Sequence, residues 1–66
     1  MQIYVNGNVQ EIPETMDMEK LLEQMELTGQ RIAVEINEEL LPRSAFHGHL
    51  FQEADRVEII HAVGGG

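Results

Sequence analysis

Sixty-six residues with a formal net charge of −8 and no cysteine or tryptophan set narrow bounds. A chain of this length encloses one small core, and without cysteine it has no disulfide, thiolate metal cage, iron–sulfur cluster or cysteine nucleophile. Twelve acidic against four basic side chains repel nucleic acid and anionic membranes, so neither is an expected partner, and they suit docking onto basic protein surfaces.

Apolar residues make up 42% of the chain, enough to hold a single domain by packing alone. With no apolar run of membrane-spanning length and no signal-peptide pattern at the N-terminus, the expected location is the cytoplasm.

The chain opens with two short runs, Gln2–Val5 and Asn8–Ile12, around Asn6-Gly7. Asn-Gly between such runs signals a hairpin, because a type I′ turn needs positive φ at both central residues. A two-residue loop places Met1, Ile3, Val5 and Ile12 on one face and Gln2, Tyr4, Val9 and Glu11 on the other. Pro13 ends the second strand, having no N–H for a ladder. A helix follows, with Asp17 as N-cap and Met16 and Leu21 placed as a hydrophobic staple. Met18, Leu21, Leu22 and Met25 recur at helical period and form its buried stripe. Glu19, Glu23 and Glu26 line a solvated face, and Gly29 suits the left-handed position that stops the helix.

Arg31–Ile36 alternates as a strand with Ile32, Val34 and Ile36 inward. Asn37-Glu38-Glu39 reads as a turn and Leu40-Leu41 as a short extended piece stopped by Pro42. Arg43–His49 reads as irregular or a single turn, with Leu50 and Phe51 anchoring the crossing. Glu53-Ala54-Asp55 turns the chain into a last strand, Arg56–Ala62, with Val57, Ile59, His61 and Val63 on one face and Arg56, Glu58, Ile60 and Ala62 on the other. A hairpin, one helical crossover and further strands make an α+β fold: a mixed four- to five-stranded sheet with one helix on one face, the β-grasp or ubiquitin-like arrangement. The last strand is expected beside the first. The expected division is a domain over 1–63 and a glycine tail over 64–66.

Little in the chain looks catalytic. Ser44 is the only serine and has no nucleophile motif around it, and the closing glycines lead into no helix that would bind phosphate. The chain is therefore expected not to be an enzyme. His47 and His49, with Glu53 and Asp55 nearby, contain metal-ligand types without a defined ligand set, so no metal is expected. The simpler reading is two exposed histidines flanking Gly48. His61 is expected to be a partly covered histidine near the sheet's end.

The closing Gly64-Gly65-Gly66 follows directly on a well-patterned strand. Three extended residues reach roughly 10 Å, and a segment without Cβ atoms threads a tunnel that any larger residue would block. This is a chain end shaped to be a substrate.

From end to end the residues carry a resemblance. Ile3-Tyr4-Val5-Asn6-Gly7, the helix start Asp17–Leu22, Val34-Glu35-Ile36-Asn37, Leu41-Pro42-Arg43-Ser44, Asp55-Arg56-Val57-Glu58-Ile59-Ile60-His61 and Val63-Gly64-Gly65-Gly66 together resemble the ThiS family, sulfur carriers of thiamine thiazole biosynthesis within the ubiquitin-like superfamily. Two positions depart from the family pattern. Glu38 stands where Gly often follows Asn, and Ala54 where Gly usually precedes Asp; both departures are expected to alter turn geometry.

The resemblance implies chemistry at Gly66, with Gly64 and Gly65 threading a partner's active site. An E1-like adenylating enzyme of the ThiF type would use ATP and Mg²⁺ to form an acyl-adenylate. Sulfur drawn from cysteine through a desulfurase would then leave a C-terminal thiocarboxylate for a thiazole synthase of the ThiG type. The carrier itself would bind no cofactor and be a monomer when free. Sister carriers (the small subunit of molybdopterin synthase, or a tRNA-thiolation carrier), a ubiquitin-like protein modifier and an inert β-grasp interaction module share much of this pattern. For docking, Ile60 and Ala62 project from the face opposite Val57 and Ile59. Ile60 is expected beside Tyr4 and Val9, in an apolar patch rimmed by Arg56, Glu58 and Glu11.

Overall fold

In the computed structural model, which describes residues 1–62, the elements run β1 (Gln2–Val5), β2 (Asn8–Glu11), α1 (Met18–Gln24), β3 (Ile32–Ile36), β4 (Glu39–Leu41), a 3₁₀ turn (Arg43–Ala45) and β5 (Arg56–His61). The strands form one mixed sheet in the order β2-β1-β5-β3-β4. β5 pairs parallel with β1 and antiparallel with β3, so the last strand is the central one. One helix lies on one face, and the architecture is the β-grasp. Val63 and Gly64, Gly65 and Gly66 lie outside the described residues, and with them the boundary expected between 63 and 64.

The hairpin forms as its sequence dictates. Val5 pairs with Asn8 across a two-residue loop, and Asn6 and Gly7 both take positive φ (50° and 85°). The alternation then buries Ile3, Val5 and Ile12 while Gln2, Tyr4, Val9 and Glu11 face outward. Asp17 caps α1, accepting from the Lys20 N–H at 2.8 Å. Met18, Leu21 and Leu22 are buried, and Met16 and Met25 pack at the margin of the same core. The other side of the core is the inner face of the sheet, where Ile3, Val34 and Val57 are almost completely covered.

Four expectations about the elements and turns change, as does a fifth, about His49. First, α1 ends before Gly29: Glu26 takes the left-handed position (φ 60°), with Glu26 N donating to Glu23 O at 3.0 Å and Leu27 N to Leu22 O at 2.8 Å. This double closure brings Leu27 back to the core edge, and that packing outweighs the preference for glycine. Gly29, also at positive φ, serves the next turn.

Second, Leu50 does not anchor the crossing. Leu50 and Phe51 are neighbours in extended backbone and point to opposite sides, so Phe51 is buried and Leu50 is 56% exposed. Phe46 is the second anchor, also buried.

Third, His61 is exposed rather than partly covered, because the seven-residue α1 leaves that end of the inner face open. Fourth, Glu38 and Ala54 do not alter their turns away from the glycine conformation. Ile36 pairs with Glu39, so the loop is Asn37-Glu38 alone, and Asn37 (φ 52°), Glu38 (φ 70°) and Ala54 (φ 69°) all hold left-handed backbone. The departure from glycine is borne as local strain.

The two histidines of the crossing separate. His47 is exposed, with Nδ1 3.1 Å from Glu19 Oε1 and 4.0 Å from Asp17 Oδ2. Asp17 Oδ2 also accepts from the Gly48 N–H at 2.8 Å, so one carboxylate caps α1 and ties the crossing to it. His49, expected exposed, is half-buried with its ring edge-on to Phe51. Asp55 is occupied inside the fold, and among the described residues no three His, Cys, Asp or Glu side chains converge as a metal site.

Two predictions follow from this backbone. Glu38→Gly relieves a left-handed position in a type I′ turn and raises stability by about 0.5–1 kcal/mol. Urea unfolding reads this as a higher midpoint; an unchanged or lower midpoint refutes strain at Glu38.

The second concerns pH. The hydrogen bond to Glu19, then the charges of Glu19 and Asp17, raise the His47 pKa above its ordinary 6.5. The backbone N–H groups of Gly48 and Lys20 lower the Asp17 pKa below 3.8. A raised histidine stabilises fully below its unfolded pKa and loses that contribution as pH rises through the folded one; a depressed aspartate loses its contribution as pH falls through the folded value. The stability difference between wild type and His47→Gln is therefore full below the ordinary histidine value of 6.5 and shrinks as pH rises through the raised folded value. Urea midpoints at several pH values check it, and a pH-independent difference contradicts it.

Candidate functional site

The site is the outer face of the sheet and the end at which β5 finishes. β5 is placed by side chains as well as by its ladders. Asn6 Oδ1 accepts from the Ile59 N–H at 2.8 Å. At the start of the strand Asn37 Nδ2 donates to Asp55 Oδ1 at 2.9 Å while Asn37 Oδ1 accepts from the Arg56 N–H at 3.0 Å. Asp55 Oδ2 accepts from the Gln52 N–H at 2.9 Å. These bonds fix the register of β5 against both neighbours. At its far end Ala62 N donates to Arg31 O at 2.9 Å, so the backbone is held to the last described residue.

Because Val57 and Ile59 face the core, Arg56, Glu58 and Ile60 face outward, as expected. Register then decides which of the predicted docking residues meet. Tyr4 pairs with Val9 on one side and Arg56 on the other, forming one row across β2, β1 and β5. Tyr4 (38% exposed) and Arg56 line a common shallow hollow of ≈ 310 Å³. The next row carries Glu58 opposite Glu35, with Leu40 beyond. Ile60 (45% exposed) pairs with Ala33 in the row after that.

Ile60 is thus not beside Tyr4 and Val9. Four residues of strand, roughly 13 Å, separate it from Arg56, and Glu58 lies between. Parallel pairing with β1 causes this: β1 turns away at Asn6-Gly7 before reaching the level of Ile60. Ile60 belongs instead with Ala33 and exposed Ala62, at the end where the strand finishes. Ala33 was not among the predicted residues. Its outward place follows from the alternation of β3, but its pairing with Ile60 needed the register.

The electrostatics of this surface are uneven. Glu35 and Glu58 stand directly opposite each other, an arrangement that costs stability in a free sheet. Glu35, Glu38, Arg56 and Glu58 line one hollow, three acidic residues to one basic. Among the described residues the arrangement brings no nucleophile together with a base. It is an exposed sheet face on which apolar Tyr4, Val9, Leu40 and Ile60 stand among carboxylates. Among the described residues no helix is long and apolar enough to cross a membrane.

Comparison with known proteins agrees with this geometry. The crystal structure of the thiamine biosynthesis protein ThiS from Geobacter metallireducens superimposes with a TM-score of 0.83 at 30% identity, covering 100% of both chains. The sulfur carrier protein ThiS of Escherichia coli strain K12 is 27% identical over 66 residues, again 100% of each. A thiazole synthase of Paramagnetospirillum magneticum is 30% identical over all 66 residues, a stretch that makes up only 20% of that protein. The ThiS family profile matches residues 3–66, essentially the whole sequence, and the chain belongs to the ThiS family.

Proposed function

We propose that this chain is a sulfur carrier for thiamine thiazole synthesis, acting as co-substrate of other enzymes through the carboxylate of Gly66. The observation that carries the reading is the family match running through to residue 66, on a fold whose central strand leads directly toward Gly64-Gly65-Gly66. The full-length similarity to the Escherichia coli sulfur carrier supports the chemistry, and the thiazole synthase similarity supports the acceptor.

A carboxylate is a poor electrophile, so it is first activated. An oxygen of Gly66 attacks the α-phosphorus of ATP on an E1-like adenylating enzyme of the ThiF type, with Mg²⁺, and pyrophosphate leaves. A persulfide, loaded from cysteine by a desulfurase, then attacks the acyl carbon and AMP leaves. Cleavage of the resulting acyl disulfide by a second thiol leaves the thiocarboxylate and a disulfide. The thiocarboxylate is a soft nucleophile on a domain that positions it in thiazole synthase, replacing free sulfide by a locally concentrated donor. Gly64 and Gly65 supply the slender approach, for which any Cβ would be too wide.

Docking falls on the outer face. Tyr4 and Arg56 form one contact area and Ile60 and Ala62 a second, nearer the tail, with Glu58 and Glu35 between them for a basic partner.

Incubation with ATP, Mg²⁺, the adenylating enzyme, cysteine and a desulfurase adds a mass equal to exchange of one oxygen for sulfur, mapped to Gly66. Deleting Gly66 or appending a C-terminal tag abolishes the gain; equal loading of the tagged protein refutes the tail chemistry. Separately, Ile60→Asp keeps the fold but lowers adenylation kcat/KM by about tenfold, as expected for an apolar contact near an interface centre. Val9→Asp, in the row of Tyr4 and far from the tail, lowers it less. Equal rates for wild type and Ile60→Asp remove the second contact area.

A further inference from the structure

On the helix side of the sheet, at the same end as Ala62, a hollow of ≈ 190 Å³ opens between the end of α1, the 3₁₀ turn and the start of β3. Its apolar lining comes from Leu22, Leu27, Ile32 and Phe46, and its charged lining from Glu19 and Arg43. The two charged groups differ in what they already hold. Glu19 is engaged, its carboxylate 3.1 Å from His47 Nδ1. Arg43 has no carboxylate within 4.0 Å among the described residues. Its Nη2 donates to the carbonyl oxygen of Gln30 at 3.4 Å, which tethers the guanidinium to the loop before β3 and leaves other N–H groups free.

Arg31 and Arg56 likewise have no carboxylate within 4.0 Å among the described residues, but Arg43 alone of the three lines this hollow, and a tethered guanidinium beside apolar lining is a surface complementary to a carboxylate next to an apolar side chain. The hollow is also close to the reactive end. Ile32, which lines it, pairs with His61 across β3 and β5, and the neighbouring Arg31 carbonyl accepts from Ala62. Anything that takes up residues beyond Ala62 comes within reach of it.

We propose that this hollow is a docking socket for thiazole synthase: an apolar side chain of the synthase fills it, and an adjacent synthase carboxylate pairs with Arg43. The proposal rests on the sulfur-carrier reading and names the partner for a second face. The synthase is chosen because the Paramagnetospirillum magneticum thiazole synthase includes a stretch similar to this entire chain, making up one fifth of its length. The similar stretch and the remaining four fifths of that protein are one covalent chain, so the two parts meet at high effective concentration. A partner gripping the outer face through Ile60 and the helix side through Arg43 clamps β5 from both sides just before the tail.

The test is the affinity of the full chain for purified thiazole synthase, by calorimetry or interferometry. Arg43→Glu, which reverses the charge, and Thr28→Trp, which fills the hollow from its lining, each weaken Kd by about tenfold or more without lowering the unfolding midpoint. Lys20→Glu, an equal charge change on the far side of α1, leaves Kd as in wild type. Binding of both Arg43→Glu and Thr28→Trp at wild-type affinity overturns the socket while leaving the carrier chemistry standing. A wild-type chain that loads sulfur but binds no thiazole synthase overturns the choice of partner and the socket with it. One that neither loads nor binds overturns the underlying reading as well.

Discussion

The placement of β5 is the constraint on which the rest of the molecule depends. The last strand to be made is the central one, hydrogen-bonded to the first strand on one side and to β3 on the other. Its pairing with β1 joins parts of the chain about fifty residues apart: the Asn6–Ile59 bond spans 53 positions. Closing such a loop costs entropy, which the burial of Val57 and Ile59 in the core helps to offset. Asn6, Asn37 and Asp55 answer the resulting problem of register. A slip of one residue would turn Val57 and Ile59 outward and Ile60 inward, and it would leave the Asn37 and Asp55 side chains without partners. The strand that carries the tail is therefore the most constrained strand in the sheet.

The core is small, and the fold accepts local costs around it. Among the described residues five non-glycine positions hold positive φ: Asn6, Glu26, Asn37, Glu38 and Ala54. Asparagine tolerates this backbone through its short polar side chain, whereas glutamate and alanine carry strain on the order of 1 kcal/mol each. Each of these three sits where packing demands a sharp change of direction. Glu26 folds Leu27 back onto the core edge, Glu38 joins β3 to β4, and Ala54, whose N–H donates to Gln2 O at 2.7 Å, launches β5. The helix consumes one face of the sheet completely enough to bury the core. The other face is left free of structural duty, and there exposed Tyr4, Val9, Leu40 and Ile60 can be kept.

What could be read from the sequence divides along the range of the interactions. The Asn6-Gly7 turn, the alternation of β1, β3 and β5, the Asp17 cap and the Met18, Leu21, Leu22 stripe are written in residues a few positions apart, and all appear as expected. What was not legible needed a distant partner. That Phe46 and not Leu50 anchors the crossing depends on how the crossing meets the first turn of α1, where the Glu19 N–H donates to the Phe46 carbonyl at 3.2 Å. That Ile60 belongs with Ala33 and not with Tyr4 and Val9 depends on where a parallel pairing starts, which no local pattern records. The exposure of His61 depends on the length of α1 relative to the sheet. Gly64-Gly65-Gly66 was legible as a motif only and lies outside the described residues.

The charge of −8 takes on a direction once the register is known. Along the outer face the order toward the strand end is Arg56, the opposed pair Glu58 and Glu35, then the uncharged row of Ile60 and Ala33. Beyond that row come the cations: Arg31 beside Ala62, and Arg43 tethered to Gln30 on the helix side. The outer face thus changes from charged to uncharged toward the end of β5, a charge asymmetry along its length. Such an asymmetry orients an approaching basic surface before contact, raising the encounter rate and rejecting the reversed pose. Under the proposed carrier function the reacting atoms belong to Gly66, so orientation is the part of recognition that matters most. The order of a few charges along the outer face would supply it, while the small core only has to hold that order still.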